Sequence, residues 1–247
     1  MAGPLEQFDI KPIQPISIAG TDISFTNSSA WMLVVLALIS GFILIGTMRP
    51  QLVPGRLQSM VELCYEFVAG IVKENIGPEG RPFFPFIFTL FMFVLAANLL
   101  GLFPYAFTVT SHLAVTAALA GGIFLGVIVI GVLRHGLHFF SLFVPENTPV
   151  YFLPLVVVIE IISFIARPVT HSVRLFANMT AGHILLKVFA GFIVSLLAAG
   201  GLLSALGILP FIMIIAITAL ELLVAVVQAY VFALLACVYL NDAVNLH

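Results

Sequence analysis

Apolar residues fill this chain in long runs, divided by short polar breaks. The first run is Trp31 to Met48, about the length that spans a bilayer, and Arg49-Pro50 ends it. From Arg56 to Ile76 the pattern changes. Leu57, Met60, Val61, Cys64, Phe67, Val68, Ile71 and Val72 fall at helical spacing, and Arg56, Gln58, Glu62, Glu66, Lys73 and Glu74 interrupt them. This predicts an amphipathic helix over 56–76, lying on a membrane surface or against a partner helix. Ile76-Gly77-Pro78-Glu79-Gly80 breaks the chain, and further spans follow at 84–103 and 113–133. From Pro149 to Leu240 the sequence is apolar almost throughout, with one Gly-rich break at Gly200-Gly201. It predicts two helices, 149–199 and 203–240. At 1.5 Å per residue each is roughly 50 to 75 Å long, against a hydrocarbon layer of about 30 Å. Such helices must tilt, bend or break, and a steep tilt suggests that they form a hairpin along another protein surface. The expected fold is therefore all-α: about five transmembrane helices and one amphipathic surface helix in a single membrane domain, 31–247, after an N-terminal arm, 1–30.

Composition agrees. Hydrophobic residues are 62% of the chain and charged residues 8%, where a water-soluble domain carries about 25% charged. So little charge cannot cover a surface facing water, and the solvent for most of the chain must be lipid. A formal net charge of -2 gives no reason to expect nucleic acid. Cys64 and Cys237 lie in apolar helical stretches without metal-type spacing and read as packing residues. The N-terminal stretch carries Glu6, Asp9 and Asp22 against Lys11 and does not resemble a secretory signal. Asn27-Ser28-Ser29 matches a glycosylation sequon, which matters only in a secretory pathway. Arg49, Arg56, Lys73, Arg81 and Arg134 fall in loops on one side of a five-span arrangement, while 104–112 and 200–208 hold no Lys or Arg. The excess of positive charge predicts a cytoplasmic (or matrix) C-terminus and an N-terminus on the opposite face.

The chemistry concentrates in the two long helices. Arg174 stands far from either end of its apolar run, where a charge costs about 2.5 to 3.5 kcal/mol on insertion scales. Arg does not deprotonate to escape that cost. A structural ion pair within the chain is one reading. A carboxylate on a partner subunit is the other, favoured because the acids deep in these helices are only Glu160 and Glu221. Thr170, Arg174 and Asn178 are spaced by four and share a face, whereas His183 lies about half a turn round from Arg174. On the last helix Glu221 and Gln228, seven apart, share a stripe. Ala216, Ala219, Ala225 and Ala229 there suit close helix approach. His183 and Glu221 both bind and release protons and together suit a relay. His135 and His138 have a spacing that suits metal, but their place beside Arg134 favours an interfacial role. There is no Walker loop, zinc-protease helix or Gly-x-Ser-x-Gly elbow, so no catalytic site, metal or cofactor is expected.

The run Arg174-Leu175-Phe176-Ala177-Asn178-Met179 with Ala181-Gly182 resembles the arginine motif of the ATP synthase subunit a family. Asn98-Leu99-Leu100-Gly101-Leu102-Phe103-Pro104-Tyr105 is similar to its second motif and Gln228-Ala229-Tyr230-Val231-Phe232 to its third, in the family's order from about Trp31 onward. The resemblance implies a non-catalytic subunit beside a ring of c subunits, each with a membrane-buried carboxylate, and contacts with b-type stalk subunits. Two offset half-channels would lead protons to and from that ring. Arg174 resembles the arginine between the channels and Gln228 its neighbour. Asn178 belongs to the same motif. His183, Glu221 and Asn98 resemble the inlet side, and Glu160 and Thr170 the outlet. Many bacterial members have Glu where this chain has His183 and His where it has Glu221; the exchange looks like the form in mitochondria and related bacteria. A bacterial inner membrane is the expected location, with the mitochondrial inner membrane as the alternative. Two other classes compete. A stand-alone secondary transporter predicts an internal repeat and short broken helices, and a passive scaffold leaves Arg174, His183, Glu221 and Gln228 without a reason.

Overall fold

The computed structural model describes residues 10, 12–15, 17, 18, 21, 22, 24–103, 106–136, 138, 139, 144 and 151–245. Expectations that fall on most of the N-terminal arm, on Pro104-Tyr105 and on a helix start at Pro149 lie outside them. Seven α-helices run in order among the described residues: α1 (Asn27–Thr47), α2 (Arg56–Asn75), α3 (Phe84–Gly101), α4 (Leu113–His135), α5 (Leu153–Ala199), α6 (Gly201–Ala205) and α7 (Ile208–Val244). Two short antiparallel pairs, Pro12–Gln14 with Phe25–Thr26 and Ser17–Ile18 with Thr21–Asp22, precede them and were not expected from the sequence. Their strands are too short for the alternation that marks a strand in sequence.

Among the described residues, five helical segments are long and apolar enough to cross a membrane: α1, the stretch Gly77–Gly101 that ends in α3, α4, α5 and α7. The protein is a polytopic all-α membrane protein. α1 begins four residues before Trp31 because Thr26 supplies an N-cap, its Oγ1 accepting from the Ser29 amide at 3.4 Å. α2 is amphipathic with a narrower buried stripe than its apolar spacing suggests. Val61, Val68, Ile71 and Val72 are buried, while Leu57, Met60 and Phe67 are exposed. An apolar residue on the outer face costs little where lipid is the solvent.

α5 has 47 residues and α7 has 37, or about 70 and 55 Å. Pro168 lies inside α5. Gly200 and Gly201 (φ 69° and 59°) turn the chain out of α5, a left-handed conformation that favours glycine. The second long helix was expected from residue 203; instead α6 takes up Gly201–Ala205 and α7 starts at Ile208. Small residues line the buried face of α7, but not all those expected. Ala225 and Ala229 are fully buried with Ala233 and Ala236, whereas Ala216 and Ala219 are on the exposed side. The close-packing stripe therefore starts about two turns later than the sequence suggests. On α5, Val158, Ile162, Ile165, Val169 and Val173 are exposed, an apolar surface that only lipid or another protein can cover.

The helices divide into two compact units. One takes the described residues up to Gly41, with Phe93–His112 and Leu175–Ala229; the other takes Phe42–Met92, Leu113–Arg174 and the described residues from Tyr230 onward. In the second, α4 turns a stripe of Thr116, Ala120, Ile123, Val127 and Gly131 inward. Phe124 meets Phe164 of α5 at 4.6 Å between ring centroids, and the Thr116 and Ser172 hydroxyls share a hydrogen bond of 3.2 Å. Arg134 at the end of α4 pairs with Glu79 in the 3-10 segment Gly77–Phe83. His135 Nε2 is 3.1 Å from the Val244 carbonyl.

Candidate proton-path residues

The first unit gathers polar groups from α3, the segment before α4, α5 and α7. Asn98 is fully buried and donates from Nδ2 to the Ala225 carbonyl at 3.4 Å. Ala225 carries no side chain beyond Cβ, so it lets an amide reach the backbone of α7. Asn98 Oδ1 has no hydrogen-bond partner among the described residues. Asn178 Nδ2 donates to Gln228 Oε1 at 3.1 Å, joining the arginine motif to the third motif. His183 Nε2 shares a hydrogen bond of 3.1 Å with Thr108 Oγ1. Thr108 also donates weakly to the Gly101 carbonyl at 3.5 Å, Ser111 Oγ donates to the Thr108 carbonyl at 2.6 Å, and Thr180 Oγ1 donates to the Ser111 carbonyl at 3.5 Å.

Glu221 is 8% exposed, and its Oε2 has no partner among the described residues. Its carboxyl packs on Gly182: a Cβ built there would overlap Glu221 Oε1 and stand 2.8 Å from Cδ. The missing side chain at 182 is thus what admits the acid. Glu221 rests against the residue that precedes His183, while the His183 ring reaches Thr108. A carboxyl oxygen left without a partner in an apolar bundle is a natural seat for a proton or a water.

In the second unit Arg174 and Thr170 are exposed, while His171 and Ser172 beside them are buried. Thr170 donates to the Ala166 and Arg167 carbonyls at 3.0 Å each, so its hydroxyl is held by its own helix. Glu160 is half-buried. Among the described residues the ion pairs are Arg134–Glu79 and Arg167–Asp242, and Arg174 joins neither. The reading of Arg174 as one half of an ion pair within the chain gains no support among these residues.

Several groups here escaped the sequence analysis. Thr108 and Ser111 stood in a segment read only as a loop. Gly182 was part of a motif, with nothing to say which side chain it admits. Asp242 lies just past the last apolar run, 75 residues from Arg167, which it meets at 2.7 Å. Arg167 is also over the Phe164 and Tyr239 rings, 5.8 and 5.4 Å from their centroids. His171 is 4% exposed and packs against Phe232, with centroids 3.8 Å apart and the ring planes tilted by 33°. The Arg167–Asp242 pair is about a third exposed at each end, so screening trims it to roughly 1 to 2 kcal/mol, between surface and buried pairs. Arg167→Gln and Asp242→Asn each lower the thermal midpoint of the assembled membrane sector, and the double variant loses less than the sum. Additive losses in that double-mutant cycle would show the pair to be uncoupled.

The sequence model of the family described as ATP synthase A chain matches residues 29–241. A curated relative from Rhodospirillum rubrum, named ATP synthase subunit a, is 52% identical over 247 residues and covers both chains fully. One from Rhodopseudomonas palustris is 57% identical over 99% of each chain. One from Agrobacterium fabrum is 56% identical over 98% of this chain and 97% of its own. With matches across essentially its whole length, the chain belongs to the ATP synthase A chain family, that of the proton-translocating stator subunit of F-type ATP synthase.

Proposed function

We propose that this chain carries protons past Arg174 by way of two polar regions, and that it does so against a ring of c subunits in an inner membrane without itself catalysing ATP chemistry. On the inlet side, His183 and Glu221 take protons from water toward the ring and Asn98 borders their path, with Asn178 and Gln228 holding the helices in register beside Arg174. On the outlet side, Thr170 and Glu160 border the path. The observation that carries this reading is Glu221: a carboxyl group sunk between apolar helices, against Gly182 and one residue from His183, with an oxygen left without a partner. Such a group serves transport better than packing, because a packing role is filled more cheaply by an apolar residue of the same shape. The exposed Arg174 supplies a fixed cation. It favours the ionised form of a ring carboxylate that comes to face it, and so promotes proton release. The same charge opposes a direct leak of protons along the path. The b-type stalk subunits would hold the chain still while the ring turns. The excess length of α5 and α7 supports a tilted hairpin along the ring. The five basic loop residues support a C-terminus on the cytoplasmic face.

The experiment is an exchange. His183→Glu sets two carboxyl groups near each other, and like charges disfavour ionising both. Glu221→His sets two imidazoles there and removes the acid. The double variant restores one of each. Passive proton flux through the membrane sector, in vesicles, is expected to fall strongly in each single variant and to recover in part in the double. A double variant no better than the worse single one would leave His183 and Glu221 as independent sites.

A further inference from the structure

Beside the start of α3, in the second unit, a cavity of about 630 Å³ opens between α2 and the segment that follows it. Its walls include Tyr65, Ala69, Val72, Lys73, Arg81 and Phe84. Lys73 sits in the last turn of α2 and Arg81 three residues before α3, so both cations stand where the chain enters its second apolar span. Both are exposed, and neither belongs to an ion pair among the described residues. Glu79, the acid between them in sequence, is engaged by Arg134 instead. Glu66 and Glu74 flank Lys73 along α2 but do not line the cavity. The charged side chains that line it are both basic.

The remaining wall is apolar and aromatic. Tyr65 and Phe84 meet at 4.6 Å between centroids, and Phe88 extends the cluster, 5.7 Å from Phe84. Aromatic rings at the boundary between headgroups and hydrocarbon, beside paired cations, match the two halves of one kind of molecule. A headgroup phosphate needs the cations, and the glycerol backbone with its first acyl carbons needs the rings. Basic pockets next to spanning helices on the positively charged side bind anionic headgroups for this reason. We propose that this cavity holds an anionic phospholipid, with Lys73 and Arg81 on its phosphate and Tyr65 and Phe84 against its apolar stem. A lipid held there ties α2 to the start of α3 through contacts that the protein alone does not make.

The test places a photo-reactive benzoylphenylalanine at Ala69 in the whole assembled enzyme, irradiates native membranes and identifies what is captured by mass spectrometry. An anionic phospholipid is expected. Capture of a stalk subunit, or of nothing, would overturn the assignment. In nanodiscs the capture is expected to need phosphatidylglycerol or cardiolipin and to be absent with phosphatidylcholine alone. Excess inorganic phosphate is expected to leave it unchanged, since it lacks the acyl chains; displacement would mean a site for free phosphate. K73Q with R81Q should cut capture about tenfold or more, at the strength of a basic residue near an anionic surface. K73R with R81K should keep it, and R49Q with R56Q should not alter it. Equal capture in the K73Q/R81Q variant would show that these two charges do not hold the ligand.

Discussion

Arg174→Ala is expected to reduce ATP-driven acidification of vesicles carrying the whole enzyme to background, while the chain still inserts and assembles. Arg174 is exposed on α5 and engages no acid among the described residues, so its removal leaves no buried carboxylate stranded within the protein. What disappears is its pull on a carboxylate outside. Opposite charges about 4 Å apart at an effective permittivity of 20 interact by about 4 kcal/mol, so the loss is on the order of a thousandfold in rate. Arg174→Lys keeps the charge but replaces a planar fork by a compact, strongly hydrated ammonium, and is expected to work poorly. Near-normal acidification by the Ala variant, at equal assembly, would remove Arg174 from the proposed mechanism.

Gly182→Ala is expected to be the next most damaging change, although it adds one methyl group. The new Cβ would overlap Glu221 Oε1 and stand 3.0 Å from its Cγ. Either the helices part, at about 1 to 3 kcal/mol for overpacking, or the carboxyl group swings away from its seat. Transport then falls on the order of tenfold to a hundredfold if that cost enters the barrier. Glu221→Asp shortens the acid by one methylene and relieves the overlap. The pair G182A with E221D should therefore outperform G182A alone in passive proton flux. If G182A transports normally, the close seat of Glu221 on α5 has no part in moving protons.

Hydrophobic run lengths made the spanning helices legible, because lipid forces every backbone polar group into an internal hydrogen bond and leaves a helix as the economical answer. The same physics hid the packing. When both the core and the outer face are apolar, sequence does not tell which side of α7 is inside. Ala216 and Ala219 read like Ala225 and Ala229, yet the first two are exposed and the last two buried. Polar residues in apolar runs stood out at once, so Arg174, His183, Glu221 and Gln228 were visible as chemistry, while Asn98 was marked only by the family motif that contains it. Their partners were not. Thr108 meets His183 across 75 residues and Asp242 meets Arg167 across another 75, distances at which no periodicity carries a signal. Gly182 was legible only as a member of the arginine motif, since its purpose is the volume it leaves for a side chain on another helix.

Pro168 bears on how α5 bends. A proline nitrogen carries no hydrogen, so the hydrogen-bond ladder of α5 is one rung short there. An interrupted ladder lets a helix bend more readily than its unbroken turns do. This compliance comes from the covalent backbone and is independent of the neighbouring side chains. Pro168 stands less than two turns before Arg174, on the stretch of α5 that also carries Arg167 and His171. Exchanging the surrounding side chains would leave the weak point in place; only a residue with an amide hydrogen at position 168 would stiffen it.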